Sequence, residues 1–143
     1  MGAGPSSGGD GSRVGGLMNA FLDSSFVIDH LNGQPEAVDH LRSIFDRGDQ
    51  PLVNEIVVCE VRAGLREEDV DILNLMLEPF EFIQPGPETA LLAGSWRAEA
   101  HRRGRALSLA DGLIAAAAYS NRATVVTRNV RDFALTPVAV ETY

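Results

Sequence analysis

Short apolar runs alternate with helix-patterned segments from Asn19 to the end of the chain, and this alternation narrows the possible folds sharply. Strands separated by helices pair in parallel, because each connection must cross over a face of the sheet. Asn19–Leu22 reads as a short buried strand ending at Asp23. Ser24 and Ser25 are placed to cap a helix through Phe26, Val27, Ile28 and Leu31, which stops at Asn32-Gly33. Pro35 opens a second helix, with Val38, Leu41, Ile44 and Phe45 spaced by three and four, and Gly48 ends it. Pro51–Val53 is a strand, followed by helices over about 55–66 and 70–77. Phe80–Ile83 is a strand between Pro79 and Pro85. Pro87 opens a long helix to about Arg103, stopped by Gly104, and Ser108 caps another to about Asn121. Thr124–Val126 and Val138–Val140 complete the strands. The expected fold is an α/β sandwich with a largely parallel sheet. Ligands of such sheets sit beyond the carboxyl ends of the strands. Asp23 and Thr127 lie at two such ends.

At 143 residues the chain predicts one domain. Residues 1–17, rich in Gly and Ser, have almost nothing to bury and are expected to be a disordered tail or an appended remnant ahead of Met18. The folded domain is expected over 18–143. No run approaches the roughly 20 apolar residues of a membrane helix. Cys59 is the only cysteine, so no internal disulfide forms, which fits a reducing, cytoplasmic setting. Net charge is −8, and all 12 basic residues are arginine. The missing lysine excludes a P-loop and disfavours a phospho-acceptor receiver. It also disfavours a haloacid-dehalogenase-like phosphatase, in which Ser25 would have to be a second acid. The acidic total argues against broad nucleic-acid binding, but seven arginines and two acids between Arg97 and Arg131 leave room for one basic face. Arg102, Arg103, Arg105, Arg128 and Arg131 are candidates for phosphate contacts or a solvated surface.

The carboxylates carry the chemistry. On a helix at 100° per residue, Glu60 shares its face with Ile56, Val57, Ala63 and Gly64, and so is expected to point toward the core. Asp111 shares its face with Ile114, Ala115 and Ala118. Buried carboxylates are costly unless paired, neutralised or bound to metal. Two of them on two helices, with Asp23 at a strand end, suggest convergence on a hard cation, Mg²⁺ or Mn²⁺. His30, His40 and His101 show no zinc spacing and are expected on helix surfaces. Each acid has a plainer reading. Asp111 follows Ser108 by three and suits a capping box. Glu60 can pair with Arg62 or Arg66, Asp23 can cap a helix, and Asp132 can be a loop acid. Leu73, Leu75, Met76, Leu77, Phe80 and Phe82 are read as core, or as part of a groove for a partner helix.

FLDSSFVID, VVCEVRAG, LSLADGLIAAAA and VVTRNVRDF resemble, in order, the four motifs of the PIN family, and its toxin branch known as VapC. The resemblance covers nearly all of 18–143. It implies a three-layer α/β/α sandwich with a central, mainly parallel sheet. It implies one or two Mg²⁺ or Mn²⁺ ions held by Asp23, Glu60 and Asp111, a homodimer, and a VapB-like antitoxin whose tail blocks the site. At the fourth acidic position many members carry Asp where this chain has Asn129, so either Asn129 or the nearby Asp132 completes the set. Thr127, and also Ser24, are expected to orient the cluster or the attacking water. The implied reaction is endonucleolytic cleavage of RNA (transfer, ribosomal or messenger) by in-line attack of water, leaving a 5′-phosphate and a 3′-hydroxyl. The alternatives are a PIN fold that binds RNA or protein without cutting, and a DNA nuclease of the same fold.

Overall fold

The computed structural model describes residues 18–143. The expectation for residues 1–17 lies outside the described residues. Five strands run β1 Asn19–Leu22, β2 Gln50–Asn54, β3 Glu81–Ile83, β4 Ala123–Val126 and β5 Val140–Glu141. Six helices run α1 Ser24–Leu31, α2 Pro35–Asp46, α3 Glu55–Ala63, α4 Val70–Leu77, α5 Pro87–Arg102 and α6 Leu109–Ser120. The sheet order is β3-β2-β1-β4-β5, and every pairing is parallel. The central strand β1 carries Ala20, Phe21 and Leu22, all buried, as a strand covered on both faces must. Right-handed crossovers place α1–α4, which step from β1 to β3, on one face. The jump back from β3 to β4 puts α5 and α6 on the other, giving the expected three layers.

Local chemistry sets the ends of these elements. Pro35 and Pro87 each open a helix at its first turn. Gly33 and Gly104 follow α1 and α5 at φ of +74° and +70°, a left-handed turn that costs a glycine nothing. On α6 the run Ala115–Ala118 is buried, and its small side chains let the helix lie close to its neighbours.

Several boundaries differ from expectation. The third helix ends at Ala63 rather than Arg66, and a 3-10 turn over Glu67–Asp69 leads into α4. The β3 strand begins at Glu81, and β5 lies at Val140–Glu141 instead of 138–140. Ser24 and Ser25 do not cap α1 but are its first two residues. Asp23 takes the cap position, with no side-chain cap bond. His40 is not a surface group: it packs edge-on against Phe26, with ring centres 5.9 Å apart. The apolar stretch around α4 divides. Leu73 and Phe80 are core, whereas Leu75 and Phe82 are 64% and 44% exposed.

Candidate active site

The sheet order reverses direction at β1 and β4, which step away to opposite sides. A crevice opens beyond the carboxyl ends of such a pair. Asp23 leaves β1 there and Thr127 leaves β4, joined by the Asp23 N–H donating to the Val126 carbonyl at 3.0 Å.

Asp23 is buried, and two hydroxyls hold it. Thr127 Oγ1 donates to Asp23 Oδ2 at 2.7 Å, and Ser25 Oγ donates to the same oxygen at 2.9 Å. The direction of both protons is fixed from behind. The Arg128 N–H donates to Ser25 Oγ at 3.2 Å, and the Asn129 N–H donates to Thr127 Oγ1 at 2.9 Å. Each hydroxyl therefore accepts from the backbone and turns its own hydrogen toward Asp23. Among the described residues no hydrogen bond reaches Oδ1, which is left as a free acceptor. Ser25 therefore belongs with Asp23 in this network and is not a helix cap. Its place, two residues after Asp23 on the first turn of α1, was the available signal.

Glu60 does not point toward the core. It is exposed, as are Ala63 and Gly64 on the same face of α3. Its Oε1 accepts from Ser24 Oγ at 2.8 Å, which holds it over the start of α1 at the crevice rim. Neither suggested arginine pairs with it: Arg62 bonds Glu67, and Arg66 bonds Asp69.

Asp111 sits in the first turn of α6. Its N–H donates to Ser108 Oγ at 3.0 Å, so the cap is made in one direction. The half-buried carboxyl has its pKa pushed up to about 6, first by burial and then by the negative charges of Asp132, Asp23 and Glu60, against a hydrogen bond with Ser108 that acts the other way. Three acids from three other segments thus lie within electrostatic reach of Asp111. Asp132 rides on a 3-10 turn, Val130–Phe133, anchored by the buried Phe133. Asn129 precedes this turn, is exposed, and makes its contact with Thr127 through its backbone.

Oxygen donors only, clustered and mutually repelling, match the demand of a hard divalent cation. As the side chains lie, no group of three His, Cys, Asp or Glu side chains among the described residues closes into a metal cage. An ion of the magnesium type asks for less, since it keeps several waters and is held by one or two carboxylates. The donor set fits.

A family model described as the PIN domain matches residues 20–138. The chain belongs to the PIN domain family. Among PIN relatives, the protein named Ribonuclease VapC19 of Mycobacterium tuberculosis is 28% identical over 116 residues, 81% of this chain and 93% of that one. A toxin–antitoxin complex from Klebsiella pneumoniae contains a chain 28% identical, with a TM-score of 0.72 over 86% of this chain and 96% of that one. The VapBC2 complex of Rickettsia felis bound to promoter DNA has a chain with a TM-score of 0.78 at 23% identity, covering 88% of this chain and 99% of its own length. The parallel sheet and its flanking helices are therefore the PIN fold, and the ordered motifs are those of a PIN chain similar to VapC.

Among the described residues no helix is long and apolar enough to cross a membrane. Arg102 and Arg103 both face Glu99, Arg128 pairs with Asp29, and Arg105 and Arg131 have no carboxylate partner among the described residues.

Proposed function

We propose that this chain is a Mg²⁺- or Mn²⁺-dependent endoribonuclease of the VapC toxin kind, acting as a homodimer in the cytoplasm and silenced by a VapB-like antitoxin. One observation supports the reading most: beyond the ends of β1 and β4, Asp23 is held by two hydroxyls, and the Asp111 carboxyl is pushed up to a pKa of about 6 by burial and by the charges of Asp132, Asp23 and Glu60. A cluster of this kind is costly for a fold and suits a cation. The ribonuclease names of similar chains, and the toxin–antitoxin titles of similar structures, support the substrate and the partner.

Asp23, Glu60, Asp111 and Asp132 would hold the cation. When bound, a divalent ion offsets the charge of a phosphodiester and makes water acidic enough to lose a proton near neutral pH. The protein supplies the rest. Ser25 and Thr127 fix Asp23, so its free oxygen needs no reorganisation on binding. Of the four acids, the exposed Glu60 or Asp132 would accept the proton of the attacking water. Asn129, in the fourth motif, would supply a neutral oxygen as an orienter or a ligand. With no ribose hydroxyl needed as nucleophile, RNA is selected by shape and contacts.

Antitoxin-free protein incubated with a mixed pool of structured RNAs is expected to cut in Mg²⁺ or Mn²⁺ and not in EDTA, leaving 5′-phosphate ends. Binding of the pool without any cutting by well-folded, cation-loaded protein would instead mark a non-cleaving module.

A further inference from the structure

Asp29 lies on α1, one turn beyond Ser25, and its side chain is only 4% exposed. A carboxylate this deep must have its oxygens satisfied. Oδ1 accepts from Arg128 Nη1, and Oδ2 accepts from the Tyr143 hydroxyl at 2.6 Å. Tyr143 is itself fixed, its ring packed edge-on to Phe26 at 4.9 Å. Burial and the neighbouring Asp29 push the Tyr143 pKa up, so the hydroxyl stays a donor.

Arg128 is consequently held at two points. Its backbone N–H lies on Ser25 Oγ, inside the Asp23 network, and its guanidinium lies on Asp29. Yet its side chain is 53% exposed. Only Nη1 is engaged among the described residues, so Nη2 and Nε remain as donors toward solvent. A buried acid and a packed tyrosine thus restrain one arm of an exposed arginine, next in sequence to Thr127, at the edge of a crevice lined by four acids. Such a crevice repels a polyanion, and a preorganised guanidinium at its rim offers bidentate donors to a phosphate. Arg102 and Arg103 differ, since each faces the exposed Glu99.

We propose that Arg128 is a phosphate-binding residue for the RNA strand entering the carboxylate crevice, and that Asp29 and Tyr143 are its positioning residues. This rests on the ribonuclease reading. The chemistry recognised is a backbone phosphodiester flanking the cut, with no base contact.

The test uses the full chain with the RNA pool that the wild type cuts. Cleavage is followed for Arg128→Ala, Arg128→Lys, Asp29→Asn and Tyr143→Phe, with thermal melting of each. RNA binding by each substitution in an Asp111→Asn background is read as a function of salt. Arg128→Ala is expected to raise KM about tenfold with kcat within about twofold, the loss of one charge-assisted hydrogen bond. The salt slope of binding should fall by about one contact. Arg128→Lys should restore the slope but only part of KM, because an ammonium lacks the fork. Tyr143→Phe, which removes one hydroxyl, should raise KM about threefold with little change in melting, as expected when one neutral hydrogen bond is lost. Unchanged KM and salt slope in Arg128→Ala, with only a lower melting temperature, would make the Asp29 pair a purely structural tie and overturn the proposal. Absence of any cutting by the wild type would sink the ribonuclease reading instead, while the salt slopes would still decide the role of Arg128.

Discussion

Asp111 concentrates the electrostatic problem of the site in one carboxyl. Its pKa rises from the ordinary 3.8 to about 6 on folding. Between those values the folded chain binds more protons than the unfolded chain, so this group lowers stability as pH rises through the window. The full cost is present above the folded pKa and absent below the unfolded one. Asp111→Asn is therefore expected to melt higher than wild type at neutral pH in EDTA, with the gain shrinking as pH falls toward 3.8, in melting curves across that range. Protons and cations compete for the same oxygens, so Mn²⁺ affinity measured by calorimetry should climb as pH rises through about 6. Asp111 is singled out by its apolar helix face, and Asp23 by its place after a strand. The orientation of Glu60 could not. Face arithmetic counts Ala63 and Gly64 as apolar, but both lie at the exposed end of a helix that stops at Ala63. Asp29 was legible in principle, for it shares the buried face of Phe26 and Ser25, three and four residues back.

At the scale of elements, the site depends on how short segments are anchored. The turn Val130–Phe133 carries Asp132 toward Asp111, and Phe133, 1% exposed, pins it to the core. Phe133→Ala is expected to cost about 3–5 kcal/mol by denaturant unfolding. It should also reduce cation affinity more than an equally destabilising cavity mutation at Ile44, which is buried on α2. Equal loss in the two variants would show that Asp132 needs no such anchor. Four residues hold too little periodicity to announce this 3-10 turn in the sequence. The longer elements were recovered with their types intact, since Pro35, Pro87, Gly104 and Ser108 each mark an end by a local mechanism. What shifted was the last turn of α3 and the edges of β3 and β5, where pairing with a neighbour, not propensity, sets the boundary.

For the whole molecule, net charge and local charge oppose one another. The chain carries −8 overall, while its stretch from Arg97 to Arg131 holds seven arginines. RNA affinity should fall steeply with added salt, with a slope counting the phosphates contacted. Arg105→Ala and Arg131→Ala, which remove arginines without a carboxylate partner among the described residues, should weaken binding more than Arg102→Ala, whose arginine already faces Glu99. Filter binding over a salt series separates the two outcomes, and equal losses would place the RNA path elsewhere. The parallel sandwich is legible because alternation of strand and helix admits few topologies, and the convergence of Asp23, Glu60 and Asp111 is expected from apolar helix faces and a strand end; the strand order that brings β1 beside β4 is not. The most direct measurement is cleavage of a structured RNA pool by wild type, Asp23→Asn and Asp111→Asn under saturating Mn²⁺, each variant first shown to be folded by its melting curve. The carboxylate account predicts cutting by wild type and a loss of at least about a hundredfold in both variants, the scale of a lost transition-state contact. Cutting by either variant at the wild-type rate would contradict it.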